Sequence, residues 1–392
     1  MSLSPVAAGF ARAAFAGLLS LSMAACNRSP EPGGEDAMAR ASSERGTDAD
    51  ASNTNTSAHS SKGHPTSNTG DARADRGGVR DTDGPRALTV SNPEALRGVD
   101  LRSVTRLELA LHPNDTATRL AAGLPAPPEH ACAGLDLWKL AERSPALTHL
   151  SISGCGDQLR AGFGPLKDRI QTLRISDLQV DPVLAGRLAE IHSLETLSLS
   201  RFTVENPTAV SLALAPASLS RIILQEAPAH ALQIFRAVSR NVHTLRLEGP
   251  WVTPDTLREL SILQRVRTLT MIGTGITNAG LTHVQRLTSL TTIEFEEESI
   301  NDLSPLYLRD LPLTSLACRC DRLGDTGARH LTRLSSLHQL TLESSRLSSD
   351  GVQLLAKLTS LHDLTLIVDA LSDAAVTQLA TLPALEKLWL EG

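Results

Sequence analysis

A spacing of 24 residues constrains this chain more than any other feature of its sequence. Apolar segments starting at Leu313, Leu337, Leu361 and Leu385 follow one another at that interval. Related segments begin at Leu147, Ile170, Leu194, Leu219, Val242, Val266 and Leu290, with one-residue gains or losses, and a less regular one begins at Val104. Laid over each other, residues 266–281 and 337–352 are both apolar at positions one, four, six, eleven and sixteen. In each unit positions one, four and six are apolar, so the first half alternates as a half-buried strand must. The second half changes to helical spacing, as at Leu281, Val284 and Leu287. Between the halves stand short polar residues that can accept a bond from an orphan helix N–H: Thr277-Asn278, Ser348-Ser349-Asp350 and Ser372-Asp373. A unit of this size cannot bury its own apolar side, so stacking is obligatory.

This pattern resembles leucine-rich repeats, and in style the 24-residue bacterial and F-box-associated kind, where an Ile/Leu-Thr/Ser-Asp-x-Gly-Leu step leads into a helix. The resemblance runs from about Val104 to the last residue. It implies an α/β fold: a right-handed leucine-rich-repeat solenoid with a curved parallel sheet on its concave face and helices on its convex face. Residues 87–146 would form an N-terminal cap and irregular first repeat, and 147–392 the repeat domain. A regular Asn after the strand is missing, so the internal Asn ladder of the best-known version should be absent or replaced by Thr274, Ser345 and similar residues. The excursion Leu124-Pro125-Ala126-Pro127-Pro128 reads as a cap or side loop, and Pro207 and Pro216 should loosen the helical half of their unit.

Solenoids commonly bind on the exposed sheet, so the resemblance implies a protein partner, with no cofactor, no metal site and no enzyme activity. Positions three, five, seven and eight should point outward there. They give a basic stretch, Arg174, Arg201, Arg221 and Arg246, followed by Glu294, Glu296 and Glu297, then Arg319 and finally Trp389. Arginine can pair in forked geometry with carboxylate or phosphate, which makes these the candidate partner-binding residues. The competing reading is that neighbouring Arg and Glu simply neutralise each other. Aromatics make up only 3% of the chain, so the usual anchors of tight interfaces are scarce. A formal net charge of -6 argues against nucleic acid as a partner, which would call for a basic stripe.

The N-terminus reads as a targeting segment. Arg12 precedes the short apolar run 13–21, and Ser22-Met23-Ala24-Ala25-Cys26 resembles the lipobox of bacterial lipoproteins, in which the Cys becomes the lipidated N-terminus. Met23 stands where Leu, Val or Ile is usual, and ordinary cleavage with Cys26 as a bystander is the alternative. The resemblance implies a signal peptide over 1–25, a membrane anchor on Cys26 and a place in the bacterial envelope. Asn27 points to the outer membrane. Residues 26–86 hold no aromatic, Leu or Ile; such a segment cannot bury enough apolar surface to order itself. As a coil of this length it would reach roughly 40–45 Å, a flexible tether. His59 and His64 within it have no third ligand nearby and read as solvated.

Four cysteines remain. Cys132 and Cys155 are candidates for a disulfide that an envelope compartment would permit. Cys318 falls on a core position with Cys320 two residues on; packing is the favoured reading over a bridge or a metal pair, because two thiolates alone make a poor zinc site. No Gly-rich phosphate loop, His-Glu-x-x-His run or Gly-x-Ser-x-Gly elbow occurs. His283 and His330 fall on helical halves and should be solvated. The last strand, ending at Trp389-Leu390-Glu391-Gly392, would leave an open parallel edge, a pairing liability that points either to homo-oligomers or to a missing continuation of the chain.

Overall fold

A computed structural model describes residues 80–82, 86–91, 93–109, 132, 134–296 and 300–392. The signal segment, Cys26, both tether histidines, the Pro-rich 124–128 stretch and Glu297 lie outside the described residues.

The described residues build one sheet of fourteen strands in chain order. A short β1 (Arg80–Thr82) lies antiparallel to β2 (Ala87–Val90). Every later neighbour is parallel. The strands are β3 (Arg106–Leu109), β4 (His149–Ser153), β5 (Thr172–Gln179), β6 (Thr196–Thr203), β7 (Arg221–Gln225), β8 (Thr244–Glu248) and β9 (Thr268–Ile272). Then come β10 (Thr292–Glu296), β11 (Ser315–Arg319), β12 (Gln339–Ser344), β13 (Asp363–Val368) and β14 (Lys387–Glu391). Strand β1 falls inside the stretch expected to be tether, and β2 extends the parallel stack one strand ahead of the unit at Val104.

One helical segment follows most strands. These are α1 (Leu137–Arg143), α2 (Gly156–Ala161), α3 (Pro182–Ala189), α4 (Pro207–Ala213), α5 (Pro254–Arg258), α6 (Asn278–Val284), α7 (Ser304–Leu308), α8 (Asp325–Leu331), α9 (Ser349–Leu355) and α10 (Asp373–Leu379). Between β7 and β8 the turn is a 3-10 helix, Ala231–Val238. None is long enough to be stable alone in water, and none is long and apolar enough to cross a membrane.

Register explains the repeat. Leu269, Ile293, Leu316, Leu340 and Leu364 stand side by side on β9–β13, all at most 3% exposed. The helical apolar residues Leu281, Val284 and Leu287 close over the same core and are fully buried. Burying each such side chain contributes about 1.5–3 kcal/mol, gained only when the next unit stacks. The chain is an α/β solenoid of leucine-rich repeats.

Capping follows the sequence in part. Ser348 Oγ accepts from the N–H of Asp350 and Gly351, and Ser372 Oγ from that of Ala375, caps that contribute about 1 kcal/mol each. Thr277 makes no such bond. Pro207 does not loosen its unit. It occupies the first turn of α4 behind an Asn206 cap, where its missing N–H costs nothing.

Side chains lace neighbouring units together where the Asn ladder was expected to be missing. Asn278 donates to Asn301 Oδ1 at 2.7 Å, and Asp302 Oδ1 accepts from the N–H of Gly324 and Gly327 at 2.7 and 2.9 Å. Asp325 accepts from the N–H and hydroxyl of Ser348 at 2.9 and 2.7 Å. Glycine follows because a Cβ on Gly327 would lie 2.8 Å from Asp302 Oδ1. Thr274 is buried as expected for a substitute, but Ser345 is exposed; its neighbour Ser344 is the inward residue, donating to Leu323 O at 2.7 Å.

Candidate binding face

Alternation sends the fourth and sixth residues of each unit into the core and leaves the third, fifth and seventh on the opposite, open face of the sheet. Arg106, His149, Thr172, Thr196, Arg221 and Thr244 form one column across β3–β8, in register. Ser151, Arg174, Ser198, Ile223, Arg246 and Thr270 form the next column, continuing to Glu294.

The structure divides the expected arginines into two kinds. Arg201 donates to both carboxylate oxygens of Asp177, at 2.7 and 2.8 Å. Arg246 pairs with Glu248 on its own strand, and Glu248 also accepts from Gln225. Arg319 bridges Glu296 at 3.1 Å and Glu343 at 3.2 Å, while Glu294 accepts from Thr270 Oγ1 at 3.1 Å. Arg174 and Arg221, by contrast, are exposed and have no carboxylate partner among the described residues.

Two residues absent from the sequence-derived set join Arg174 and Arg221. Arg106 and His149 occupy the third position of the first two units and are neighbours on β3 and β4. The signal was in hand, since Arg221 holds the same position. Burial, and then the positive charges of Arg106 and Arg174, hold the His149 imidazole below its ordinary value.

The eighth position does not behave uniformly. In the units of β5, β6 and β7 it is Asp177, Arg201 and Glu226, each in the left-handed region with φ of 59°, 45° and 45°. Burial pushes the Asp177 carboxyl up, but hydrogen bonds from Arg201, Ser153 and Ser176 outweigh it and leave the carboxyl below its usual range. In the units of β11, β12 and β13 the eighth position is Cys320, Ser344 and Val368, all buried. The expectation that position eight points outward therefore fails there, because no left-handed residue turns the chain at that place. Burial pushes Glu343 up; Arg319 draws it down, and Asp321, Glu296 and Glu391 push it up again, leaving it above its usual range.

Cys132 and Cys155 are joined, with Cα atoms 5.5 Å apart, within the normal span of a disulfide. Cys318 and Cys320 are buried, and beyond packing their sulfurs meet in a bond, with Cα atoms 5.4 Å apart. His283 and His330 are half-buried rather than solvated, and their Nδ1 atoms are buried with no hydrogen-bond partner. An open groove of about 740 Å³ lies on the helical side against Trp138, Phe163 and Arg187, with Arg187 already paired to Glu190 at 2.8 Å. Strand β14 pairs with β13 alone among the described residues. There Leu388 and Leu390 are only half-buried, where their register partners Leu364 and Leu366 are buried.

No family model matches this chain, and no curated protein matches it. Among solved structures it is similar to an internalin C2 of Listeria monocytogenes, at 19% identity over 55% of this chain and 76% of that one, with a TM-score of 0.34. It is also similar to an internalin, InlF, of the same organism, at 16% identity over 77% of this chain and 89% of that one, with a TM-score of 0.42.

Proposed function

We propose that this chain is a non-enzymatic protein-binding scaffold that takes its partner on the open face of the sheet. The observation that carries the reading is a run of exposed arginines on that face, Arg174 and Arg221 foremost, with no carboxylate of the described chain to neutralise them. A solvated arginine is tolerable anywhere on a surface. Several of them on a broad sheet whose other side is packed by helices offer forked donors to an incoming chain. The anchor belongs to the same reading: a lipid on Cys26 would hold the scaffold in a bacterial envelope, at the outer membrane, with residues 27–79 between lipid and solenoid.

Cross-linked capture from the native cell envelope tests the face. We expect a partner recovered with the natural chain and lost with Arg174→Glu combined with Arg221→Glu; equal recovery would remove the open face from consideration. Metabolic labelling with palmitate tests the anchor: label on the natural chain and none on Cys26→Ala is expected, and label on neither would leave Cys26 a bystander.

A second reading is favoured by the half-buried Leu388 and Leu390 of β14, namely self-association along that edge. Sedimentation of the natural chain against Leu388→Glu decides it, since a concentration-dependent dimer that the substitution abolishes is required.

A further inference from the structure

On the first half of the open face the acids of the eighth position, Asp177 and Glu226, stand outside the two arginine columns, and Asp177 is already paired with Arg201. Arg106, His149 and Arg174 stand on three successive strands, β3, β4 and β5, with Arg106 opposite His149 and Ser151 opposite Arg174. Arg221 follows on β7. At about 4.8 Å per strand, Arg106 and Arg221 lie roughly 19 Å apart across the sheet. All three arginines are exposed, and none has a carboxylate partner among the described residues. The nearest acid in these columns is Glu108 on β3, whose carboxylate accepts from Thr89 Oγ1 at 3.3 Å. Arg201, on β6 between Arg174 and Arg221, and Arg246 and Arg319 further along are each held by an acid. Burial first, and then the charges of Arg106 and Arg174, disfavour protonation of His149, whose Nδ1 lies 2.9 Å from the Thr148 hydroxyl.

We infer that Arg106, Arg174 and Arg221, gathered about His149, seat a short acidic segment of the partner protein, its Asp and Glu carboxylates entering the arginine forks. The inference rests on the reading that the open face binds a protein. The span suits a peptide: roughly 19 Å is about six extended residues at ~3.3 Å each. A longer polyanion is disfavoured by the same face, which carries Glu294, Glu296, Glu343 and Asp363 from β10 onward, and by the net charge of -6. A guanidinium buried under a bound carboxylate gains more than one left in water, because the charge-assisted bond is then shielded from solvent.

The test uses the detergent-solubilised full chain and a fluorescein-labelled peptide of alternating Glu and Gly, followed by anisotropy at low salt. We expect saturable binding, weakened about tenfold or more by Arg174→Ala with Arg221→Ala, a loss on the scale of two charge contacts. The paired arginines supply the control: Arg246→Ala with Arg319→Ala should change affinity less than about twofold. A second readout does not depend on variants that fold. Carboxylates arriving beside His149 favour its charged form, so its titration, followed by NMR of the imidazole, should move upward when the peptide is added. Groups facing the ring are Arg106 and Glu108 on β3, Arg174 on β5 and the Thr148 hydroxyl. Equal weakening by both pairs of substitutions, or an unmoved His149, overturns the inference. Arginine-dependent binding to phosphatidylglycerol vesicles with none to the peptide also overturns it, in favour of a lipid surface. If the peptide fails while Arg174→Glu with Arg221→Glu still loses the captured partner, the acidic segment is wrong and the binding face stands; the converse result fells the face reading instead.

Discussion

The units of β5–β7 and those of β11–β13 share strand register and core, yet part company at one residue. At the eighth position the earlier units turn left-handed at Asp177, Arg201 and Glu226, and ladder pairing skips Asp177 and Arg201 before resuming at Leu178 and Phe202. The later units have no left-handed residue there and bury Cys320, Ser344 and Val368. A left-handed turn costs a non-glycine residue about 1–2 kcal/mol, and here charged residues stand where glycine would be cheaper. Units that use Gly154, Gly249 and Gly273 at the equivalent place show the unstrained solution. The comparison teaches that one repeat frame can present two widths of surface: charged to its rim in the earlier units, uncharged and buried at that rim in the later ones. Strain kept at charged surface positions is a pattern associated with binding sites, and it flanks Arg174 and Arg221.

The comparison breaks most visibly if a charge is forced into the later units. Ser344→Arg would bury an unpaired guanidinium at a site 1% exposed, and a loss of several kcal/mol is expected. Arginine at the equivalent Arg201 is natural and half-exposed, its side chain 51% accessible. Thermal unfolding should show a large drop for Ser344→Arg; a melt within a degree or so of the natural chain would mean the eighth residue is not truly inward.

Next in size is Arg201→Ala. It leaves the Asp177 carboxylate, 8% exposed, with the hydroxyls of Ser153 and Ser176 but no cation, at a cost of about 1–3 kcal/mol. It also changes the acid limb. The Asp177 carboxyl is held low in the folded chain, so its stabilisation is present above its unfolded value of about 4. That contribution is lost as the pH falls through the folded value. Without Arg201 the carboxyl rises and the loss should begin at higher pH in an acid-unfolding curve; an unchanged curve would sever the pair.

Glu343 should show the opposite sign. Its carboxyl is raised on folding, so stability falls as pH rises from its unfolded value, about 4.3, through the folded one. Glu343→Gln is therefore expected to leave stability at pH 7 unchanged or slightly higher, because Arg319 keeps Glu296. A clear loss in denaturant unfolding would show that the Arg319–Glu343 bridge outweighs the crowding of acids.

The smallest effect sharpens the strain argument. Glu226→Gly removes a left-handed glutamate that has no ion pair among the described residues, and a gain of up to about 1 kcal/mol is expected once the entropy of glycine is set against it. Thr341→Gly, in an extended later unit, should lose a comparable amount. If both lost stability alike, the left-handed turn would carry no strain.

The sequence made the stack legible because apolar residues recur at positions one, four and six, and the inward ladder Leu269-Ile293-Leu316 follows directly. It also placed Arg174 and Arg221 on the open face. What it hid depends on neighbours 24 residues away or on a single backbone angle. Arg201 looked like a free cation until register put Asp177 beside it, and Arg246 until Glu248 proved to be its partner. Ser345 stood in for Ser344 because the later strands run one residue further than the alternation alone reveals. Arg106 and His149 could have been found, since with the frames set at Val104 and Leu147 they hold the same third position as Arg221.

Arginine modification tests the central claim most directly. The chain, alone and with its captured partner, would be treated with phenylglyoxal and each arginine quantified by mass spectrometry. Protection by the partner should fall on Arg106, Arg174 and Arg221 and spare Arg319. Protection confined to Arg319, or none on any arginine of the sheet, would contradict a binding site on the first half of the open face.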